Sequence, residues 1–186
     1  MFGRTDDPIN LNGHAGLTAA LKRTAYIGLG SNQGDVVDAL NSAIDSLKSI
    51  EQTDFVAVSP FYRSAPVDAP GPDYLNAVAQ VETALEPYAL LLHLLDIELM
   101  LGRKRRGLKK NAPRNVDLDL LLVGDIILQS TPLTLPHPRL HLRAFVLRPL
   151  LDLTPGLRVP GQGPAASFLA SVEDQRIEAY EAPAAS

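Results

Sequence analysis

The chain of 186 residues contains no cysteine and no tryptophan. Without cysteine there are no disulfide bonds, no thiolate metal sites and no cysteine nucleophile, so packing alone must hold the fold together. The sequence also lacks a run of about 18 apolar residues, the length that a membrane-spanning helix needs. Its first residues include no apolar segment long enough for a signal peptide. We therefore expect a cytoplasmic protein that does not contact a membrane.

The net charge of −4 gives no overall attraction to nucleic acid or to an anionic membrane. Hydrophobic residues make up 46% of the chain, which is enough for the core of one domain of this length. We expect that domain to cover residues 23–175, with an N-terminal extension at 1–22 and a flexible tail at 176–186. Nothing in the sequence indicates a protein partner, so we expect a monomer.

Hydrophobic periodicity predicts alternating strands and helices. The predicted strands are 24–29, 55–59, 74–85 and 116–123, and the predicted helices are 35–48, 87–101 and 142–151. Gly124 and Asp125 predict a hairpin turn into a further strand. The order strand–helix–strand–strand–helix–strand is typical of the ferredoxin-like α+β fold, in which helices pack mainly on one face of an antiparallel sheet. The other face would then be open to ligands.

The pair Asp117 and Asp119 is the main chemical signal. Residues two apart in a strand point to the same side, so both carboxylates project from one face. The opposite face would hold Val116, Leu118, Leu120 and Leu122. Two adjacent carboxylates repel each other unless a cation neutralises them, and Mg²⁺ commonly takes one or two carboxylates. Asp-x-Asp alone is also typical of a solvated strand face, so its surroundings must decide.

Cationic residues are close to this pair in the sequence. Arg114 precedes Asp117 by three residues, and a basic stretch begins at Arg103. Arginine suits a triphosphate because its planar fork binds two oxygens at once. The stretch could also be a solvated loop or a nucleic-acid patch, but it has no aromatic residue to stack on bases. A basic lid over bound phosphates fits it better.

The segment LPHPRLHLRAFVLRPL is a third element. His137 lies between two prolines, and Arg143 follows six residues later. Such a histidine could bind phosphate, act as an acid or base, or simply be hydrogen-bonded. The sequence leaves these alternatives open.

The segment GLGSNQG, residues 28–34, follows a predicted strand and precedes a helix. It lacks the third glycine of a dinucleotide-binding turn, and no P-loop motif occurs in the chain. We interpret it as a tight backbone turn.

Four sequence blocks resemble a known family when they are taken together. They are YIGLGSNQGD, FYRSAPV with DYLNAV, GRKR with APRNVDLDLLL, and LPHPRLHLRAFVLRPL. Over residues 24–162 their order resembles the 6-hydroxymethyl-7,8-dihydropterin pyrophosphokinases of folate biosynthesis. The resemblance implies a ferredoxin-like fold, ATP and a pterin alcohol as substrates, and two Mg²⁺ ions. It also implies attack of the pterin hydroxymethyl oxygen on the β-phosphorus of ATP, with release of AMP.

The resemblance implies roles for individual residues. Catalytic roles fall to Arg103 and Arg114, and the metal ligands are Asp117 and Asp119. The implied ATP contacts are Glu98, Arg105, Leu120, Thr134, His137 and Arg143. The implied pterin contacts are Ser64, Pro66, Val67, Tyr74, Asn76 and Phe145. The chain departs from some members near Asn111, where they carry a tryptophan.

The alternative is a non-catalytic ferredoxin-like module that binds RNA or a small ligand on its open sheet face. Such modules stack bases on aromatic side chains. The strands YIGLG and VDLDLLL offer one tyrosine and a pair of acids, which repel phosphates unless a metal is present. Nucleic acid is therefore not an expected partner.

Overall fold

The computed structural model describes residues 21–66, 71–102 and 116–181. Within these ranges the chain forms ten strands and three α-helices. The strands are β1 (Arg23–Ser31), β2 (Thr53–Val58), β3 (Tyr62–Ser64), β4 (Tyr74–Thr83), β5 (Asp117–Val123), β6 (Leu128–Gln129), β7 (Thr134–Leu135), β8 (Arg158–Val159), β9 (Gly163–Pro164) and β10 (Ile177–Ala179). The helices are α1 (Val36–Leu47), α2 (Pro87–Gly102) and α3 (Ala144–Leu153), with 3-10 segments at Leu140–Leu142 and Ala165–Val172.

The main sheet is antiparallel throughout. Its strands lie in the order β10–β3–β4–β1–β5, and β2 also pairs with β4. The elements follow one another as β1–α1–β2–β3–β4–α2–β5, which is the ferredoxin-like order because β2 and β3 together take the place of one strand. The predicted α+β class, the antiparallel sheet and the helices α1 and α2 are confirmed.

Helices α1 and α2 pack on one face of the sheet. The side chain of Asp35 caps α1 by accepting a hydrogen bond from the backbone N–H of Asp38 at 3.0 Å. Alternate residues of β1 point into the core below: Ala25, Ile27 and Leu29. From α2, Leu90 and Leu94 are completely buried in the same core. The buried side chains of β1, which alternate along the strand, therefore pack against the apolar sides of the two helices. No helix in residues 21–66, 71–102 and 116–181 has both the length and the apolar character to cross a membrane.

Helix α3 and the 3-10 segment Ala165–Val172 cover part of the opposite face. Tyr26 from β1 and Leu121 from β5 are buried there in one cluster with α3. The hydroxyl of Tyr62 donates to the carboxylate of Asp152 at 2.6 Å and so ties β3 to α3. Burial and that carboxylate raise the pKa of Tyr62 to about 12. The face that the sequence predicts to be open is thus accessible at one end, beside the starts of β4 and β5.

A β-bulge changes which residues of β5 face the helices. Tyr26 of β1 pairs with Leu122. The next residue, Ile27, pairs with Leu120, so Leu121 is the extra residue of the bulge. Leu121 and Leu122 consequently both pack in the cluster under α3. The prediction that Leu122 shares the face of Leu120 is wrong, because the alternation of sides is reset at the bulge.

The predicted hairpin after β5 is also wrong. β6 pairs with β7 and not with β5. Other groups bond to the outer edge of β5: the carboxylate of Glu98 accepts from the N–H of Leu118 at 2.7 Å. Further along, the carbonyl of Leu121 accepts from the backbone N–H of His137 at 2.9 Å. These contacts occupy the positions that a returning strand would need.

The sheet continues into the segment predicted to be a flexible tail. β10 pairs antiparallel with β3, and Ile177 lies opposite Ser64. The prediction is wrong for residues 177–179 because the edge of β3 offers backbone donors and acceptors that a following strand can satisfy.

Candidate active site

A cleft of about 330 Å³ opens at the end of the sheet face that α3 leaves accessible. Its walls come from the ends of β1, β3, β4 and β5, from α2 and from the start of α3. The residues that line it include Gly28, Gly30, Ser64, Ala65, Tyr74, Asn76, Glu98, Asp117, Asp119, Arg139, Arg143, Phe145 and Val146. Eight predicted site residues are among them, although they come from distant parts of the sequence.

Strand register places Asn76 and Asp117 on opposite sides of Gly30. Gly30 of β1 lies opposite Asn76 of β4 and, on its other side, opposite Asp117 of β5. Two strand spacings separate the backbones of Asn76 and Asp117 by about 10 Å. A Cβ atom on Gly30 would lie 3.3 Å from Oδ1 of Asn76. Because glycine has no Cβ, the backbone of β1 forms a flat floor of the cleft between Asn76 at one end and Asp117 at the other.

The carboxylates of Asp117 and Asp119 are exposed on the cleft side of β5, while Leu118 between them is buried. Oδ2 of Asp119 lies 3.4 Å from Nη1 of Arg143. The Asp119 side chain is 49% exposed, so this ion pair is weak and an incoming ionic ligand can compete with it. Among the described residues no group of three or more His, Cys, Asp or Glu side chains could hold a metal ion. A carboxylate pair fits Mg²⁺, which completes its shell with water and substrate phosphates.

Glu98 supports the strand segment that carries both carboxylates. Its side chain is buried near the end of α2, and Oε1 accepts a hydrogen bond from the N–H of Leu118 at 2.7 Å. This N–H lies on the outer edge of β5, where β1 cannot satisfy it. The buried carboxylate therefore satisfies a buried donor and fixes the backbone between Asp117 and Asp119.

His137 lies near the carboxylate of Asp119, on the loop that leads to α3, but it is not among the residues that line the cleft. Burial lowers its pKa; the carboxylate of Asp119 opposes this, and the cations of Arg143 and Arg139 add to the lowering. Its Nδ1 accepts a hydrogen bond from the backbone N–H of Arg139 at 3.2 Å. The neutral ring then carries its proton on Nε2. His137 is thus suited to donate a hydrogen bond rather than to supply a charge.

The other end of the cleft is aromatic and amide-bearing. Asn76 and Ser64 are both buried, and Nδ2 of Asn76 donates to Oγ of Ser64 at 3.0 Å. Tyr74 and Phe145 provide aromatic walls. The guanidinium of Arg143 lies 5.3 Å from the centre of the Phe145 ring. Aromatic surface combined with one amide is suited to a flat heterocycle that has hydrogen-bonding edges.

The structure places the other predicted residues differently. Pro66 lines a second cavity that shares three residues with the cleft. The Leu120 side chain is buried in the core under α1 and α2, so its backbone alone could meet a ligand. Thr134 lies in β7, outside the cleft lining. Arg103, Arg105, Arg114 and Val67 lie outside the described residues.

Seven of the residues that line the cleft are not among the predicted site residues, and three of these bear on its charge or shape: Arg139, Gly28 and Gly30. Arg139 lies two positions after His137 in the same segment, and its closeness in sequence to that predicted ATP contact is the signal that could have identified it as a site residue. Gly28 and Gly30 are two apart in a strand, so they share one face. Two glycines on one strand face indicate a close approach of a ligand or another backbone.

Solved structures of longer chains include a similar fold. The structure described as "HPPK-DHPS in complex with substrates" superimposes with a TM-score of 0.63 at 11% identity, covering 81% of this chain and 43% of that chain. Plasmodium falciparum wild-type HPPK-DHPS with SDX-DHP gives a TM-score of 0.63 at 13% identity, covering 81% and 44%. The chain therefore spans less than half of these proteins, and at such identities the likeness concerns the fold.

Sequence comparisons give a closer relationship. The Haemophilus influenzae 2-amino-4-hydroxy-6-hydroxymethyldihydropteridine pyrophosphokinase is 39% identical over 155 residues, 83% of this chain and 96% of that protein. The Pseudomonas aeruginosa protein of the same name is 40% identical over 154 residues, 82% and 94% of the two chains. A family model described as 7,8-dihydro-6-hydroxymethylpterin-pyrophosphokinase matches residues 26–155. The chain belongs to the 7,8-dihydro-6-hydroxymethylpterin-pyrophosphokinase (HPPK) family.

Proposed function

We propose that this protein transfers pyrophosphate from Mg²⁺-bound ATP to 6-hydroxymethyl-7,8-dihydropterin in folate biosynthesis, giving the pterin diphosphate and AMP. The activity is that of a 2-amino-4-hydroxy-6-hydroxymethyldihydropteridine diphosphokinase. The observation that carries the proposal is the row Asn76–Gly30–Asp117, which sets an amide and a carboxylate pair at two ends of one flat-floored cleft. Family membership and the names of the relatives support the same reaction.

The amide end is suited to the pterin ring. Asn76 offers its carbonyl Oδ1 as an acceptor to the ring edge. Its Nδ2 donates to Oγ of Ser64 at 3.0 Å and to the carbonyl of Tyr62 at 3.5 Å, and these bonds hold the amide in place. Tyr74 and Phe145 offer aromatic surface for stacking. We assign the pterin contacts to Ser64, Pro66, Val67, Tyr74, Asn76 and Phe145. A ring that lies over Gly30 would direct its hydroxymethyl group toward Asp117 and Asp119.

The carboxylate end is suited to the phosphates of ATP. We assign two Mg²⁺ ions to Asp117 and Asp119; bound there, they would neutralise phosphate charge and orient ATP. We assign phosphate contacts to the cations of Arg139 and Arg143, which line the cleft, and to the Nε2–H of His137. We further assign ATP contacts to Glu98, Arg105, Leu120 and Thr134, and charge stabilisation to Arg103 and Arg114.

The chemistry needs positioning more than a protein nucleophile. The hydroxymethyl oxygen forms a bond to the β-phosphorus, and the bond from that phosphorus to the oxygen bridging the α-phosphate breaks. AMP leaves with that oxygen, and the proton of the hydroxymethyl group is released to solvent. Arginine donors that meet the charge on the transferred group lower the barrier, because they are already oriented when the charge develops.

Glu98 has a second role in this proposal. Besides the predicted contact with ATP, its carboxylate holds the N–H of Leu118 and so fixes the directions of Asp117 and Asp119. It acts on the metal ligands through the backbone and is a positioning residue. Groups that bond to the backbone or side chains of metal ligands tune metal affinity because they restrict the geometry of those ligands.

The binding-module alternative is not supported. An RNA-binding sheet needs an accessible face with aromatic residues, whereas α3 covers much of this face and two carboxylates occupy its open end. We assign the reaction to the domain over residues 23–175, extended by β10, and we keep the cytoplasmic location as a prediction.

A single assay tests the proposal. Purified protein is mixed with ATP, Mg²⁺ and 6-hydroxymethyl-7,8-dihydropterin, and the nucleotide products are separated by chromatography. We expect AMP to form only when the pterin is present, and to disappear when Mg²⁺ is removed with a chelator. ADP as the product, or AMP formation that does not depend on the pterin, would contradict the proposal.

A further inference from the structure

The side chain of Gln175 bonds to the backbone on both sides of Arg143. Its Oε1 accepts a hydrogen bond from the N–H of Ala144 at 2.9 Å, and its Nε2 donates to the carbonyl of Leu142 at 2.9 Å. Ala144 is 31 positions before Gln175 in the sequence. A primary amide carries an acceptor and a donor side by side, so one glutamine satisfies both backbone groups at once.

The two backbone groups lie where one helical segment ends and the next begins. Leu142 is the last residue of the 3-10 segment Leu140–Leu142, and Ala144 is the first residue of α3. Carbonyls at the end of a helix and N–H groups at its start lack partners within the helix. Among the described residues, Arg143 at the N-cap position does not cap α3 with its own side chain. Ala144 is 3% exposed, so without Gln175 its buried N–H would lose its acceptor.

Gln175 is itself held in place from both directions along the chain. Its backbone N–H donates to the carbonyl of Val172 at 3.1 Å, and Val172 is buried under α3. Two residues after Gln175, Ile177 begins β10 and lies opposite Ser64 of β3. The amide therefore has a fixed position against which the start of α3 is set.

The junction between the two helical segments determines where the Arg143 side chain points. The backbone of Arg143 is extended, with φ −130° and ψ 112°. From there its guanidinium reaches the carboxylate of Asp119 at 3.4 Å and the ring of Phe145 at 5.3 Å. Because an arginine side chain is long, a small rotation of its backbone displaces the guanidinium by a larger distance. Control of the backbone at Arg143 is thus control of a cation in the cleft.

We propose that Gln175 is a positioning residue for Arg143. By holding the carbonyl before Arg143 and the N–H after it, the amide fixes the backbone from which the guanidinium reaches the phosphate end of the cleft. The proposal rests on the proposed function, in which Arg143 contacts the phosphates of ATP. A donor that is already oriented binds without the entropic cost of ordering it. Gln175 is outside the cleft lining, so it acts on ATP only through Arg143.

ATP affinity in matched variants tests the proposal. Gln175→Met keeps an unbranched side chain of similar length and removes both hydrogen bonds. The control is Thr154→Val, which removes the 2.7 Å hydrogen bond between Thr154 and Tyr26 at the far end of α3. Binding is measured by calorimetry with Mg²⁺ and an ATP analogue that has a methylene bridge between the α- and β-phosphorus and cannot transfer pyrophosphate. We expect Gln175→Met to raise the Kd on the order of 10-fold, and Thr154→Val to leave it unchanged, although both lower the Tm.

A double-mutant cycle tests whether the effect passes through Arg143. Arg143→Ala should weaken binding of the analogue by itself, because a phosphate contact is lost. Adding Gln175→Met to Arg143→Ala should then change the Kd by less than about 2-fold, since the group that Gln175 orients is gone. A purely structural role of Gln175 would lower affinity by the same factor in both backgrounds.

Hydrogen exchange at the Ala144 amide gives a readout that needs no ligand. The exchange of this N–H, followed by NMR, should be faster in Gln175→Met than in the wild type, because its acceptor has been removed. In Thr154→Val the exchange at Ala144 should stay close to the wild-type rate. The comparison shows directly whether Gln175 holds the backbone beside Arg143 in the folded protein.

Three results would overturn the inference: an unchanged Kd in Gln175→Met, equal effects of this substitution with and without Arg143, or unchanged exchange at Ala144. A wild-type protein that neither binds the analogue nor forms AMP would overturn the proposed function, and this inference with it. Analogue binding and AMP formation in the wild type without coupling between Gln175 and Arg143 would overturn the inference alone.

Discussion

The carboxylate of Glu98 in α2 accepts a hydrogen bond from the backbone N–H of Leu118 in β5, with 2.7 Å between Oε1 and the nitrogen. The two residues are 20 positions apart in the sequence. Leu118 separates Asp117 from Asp119, so this one contact acts on the backbone beside both carboxylates. Loss of the acceptor would leave a buried donor unsatisfied, which costs about 1–3 kcal/mol.

Replacement of Glu98 tests its positioning role. Glu98→Leu removes the acceptor at nearly constant volume, whereas Glu98→Gln keeps an oxygen that can accept from Leu118. We expect the leucine variant to need on the order of 10-fold to 100-fold more Mg²⁺ for half-maximal AMP formation, and the glutamine variant to remain close to wild type. A leucine variant with lower thermal stability but an unchanged Mg²⁺ requirement would show that Glu98 is merely structural.

The aspartates are tested by replacements that keep their shape. Asp117→Asn or Asp119→Asn should lower the rate of AMP formation by a factor of about 100 or more, because phosphates no longer held by metal lose their alignment. The folded state should be retained, since each change removes like-charge repulsion. Asp125→Asn, exposed in the turn after β5, serves as the control and should keep full activity. A double Asp117, Asp119 variant with the wild-type rate would refute the metal assignment.

Asn76 should determine affinity for the pterin rather than for ATP. Asn76→Ala removes the amide that Ser64 orients, so we expect the KM for the pterin to rise on the order of 10-fold or more. The KM for ATP should change little, because we assign the phosphates to the other end of the cleft, near β5. Gln80→Ala, on the same side of β4 but outside the cleft lining, is the control. Equal increases in both KM values would argue against the pterin assignment.

The lowered pKa of His137 predicts a pH dependence of stability. As pH falls below 6.5, the unfolded chain binds a proton at this histidine before the folded chain does. Stability from this group is therefore complete above pH 6.5 and is lost as pH falls through the lower folded pKa. The drop in Tm between about pH 7.5 and about pH 5.5 should be smaller in His137→Asn than in the wild type. His93→Asn, exposed on α2, is the comparison, and an equal effect of both substitutions would contradict the prediction.

Much of the secondary structure and part of the site follow from the sequence. The period of two in β5 predicts that Asp117 and Asp119 share a face, and this holds because both precede the bulge. The helical period of α1 and the position of Pro87 at the start of α2 predict those helices. Such patterns act over a few residues, where backbone geometry decides which side chains point together. The sequence motifs also carry the family, including the pterin, which geometry alone does not identify.

Only the tertiary structure decided the features that depend on strand order, strand register and helix packing. The bulge at Leu121 moved Leu122 to the other face, and the edge of β3 recruited β10 from the predicted tail. The row Asn76–Gly30–Asp117 exists because β1 lies between β4 and β5 in one register. The contact from Glu98 to β5 depends likewise on which side of α2 meets the sheet. These are relations between distant segments, and the free energy of packing the whole core selects them.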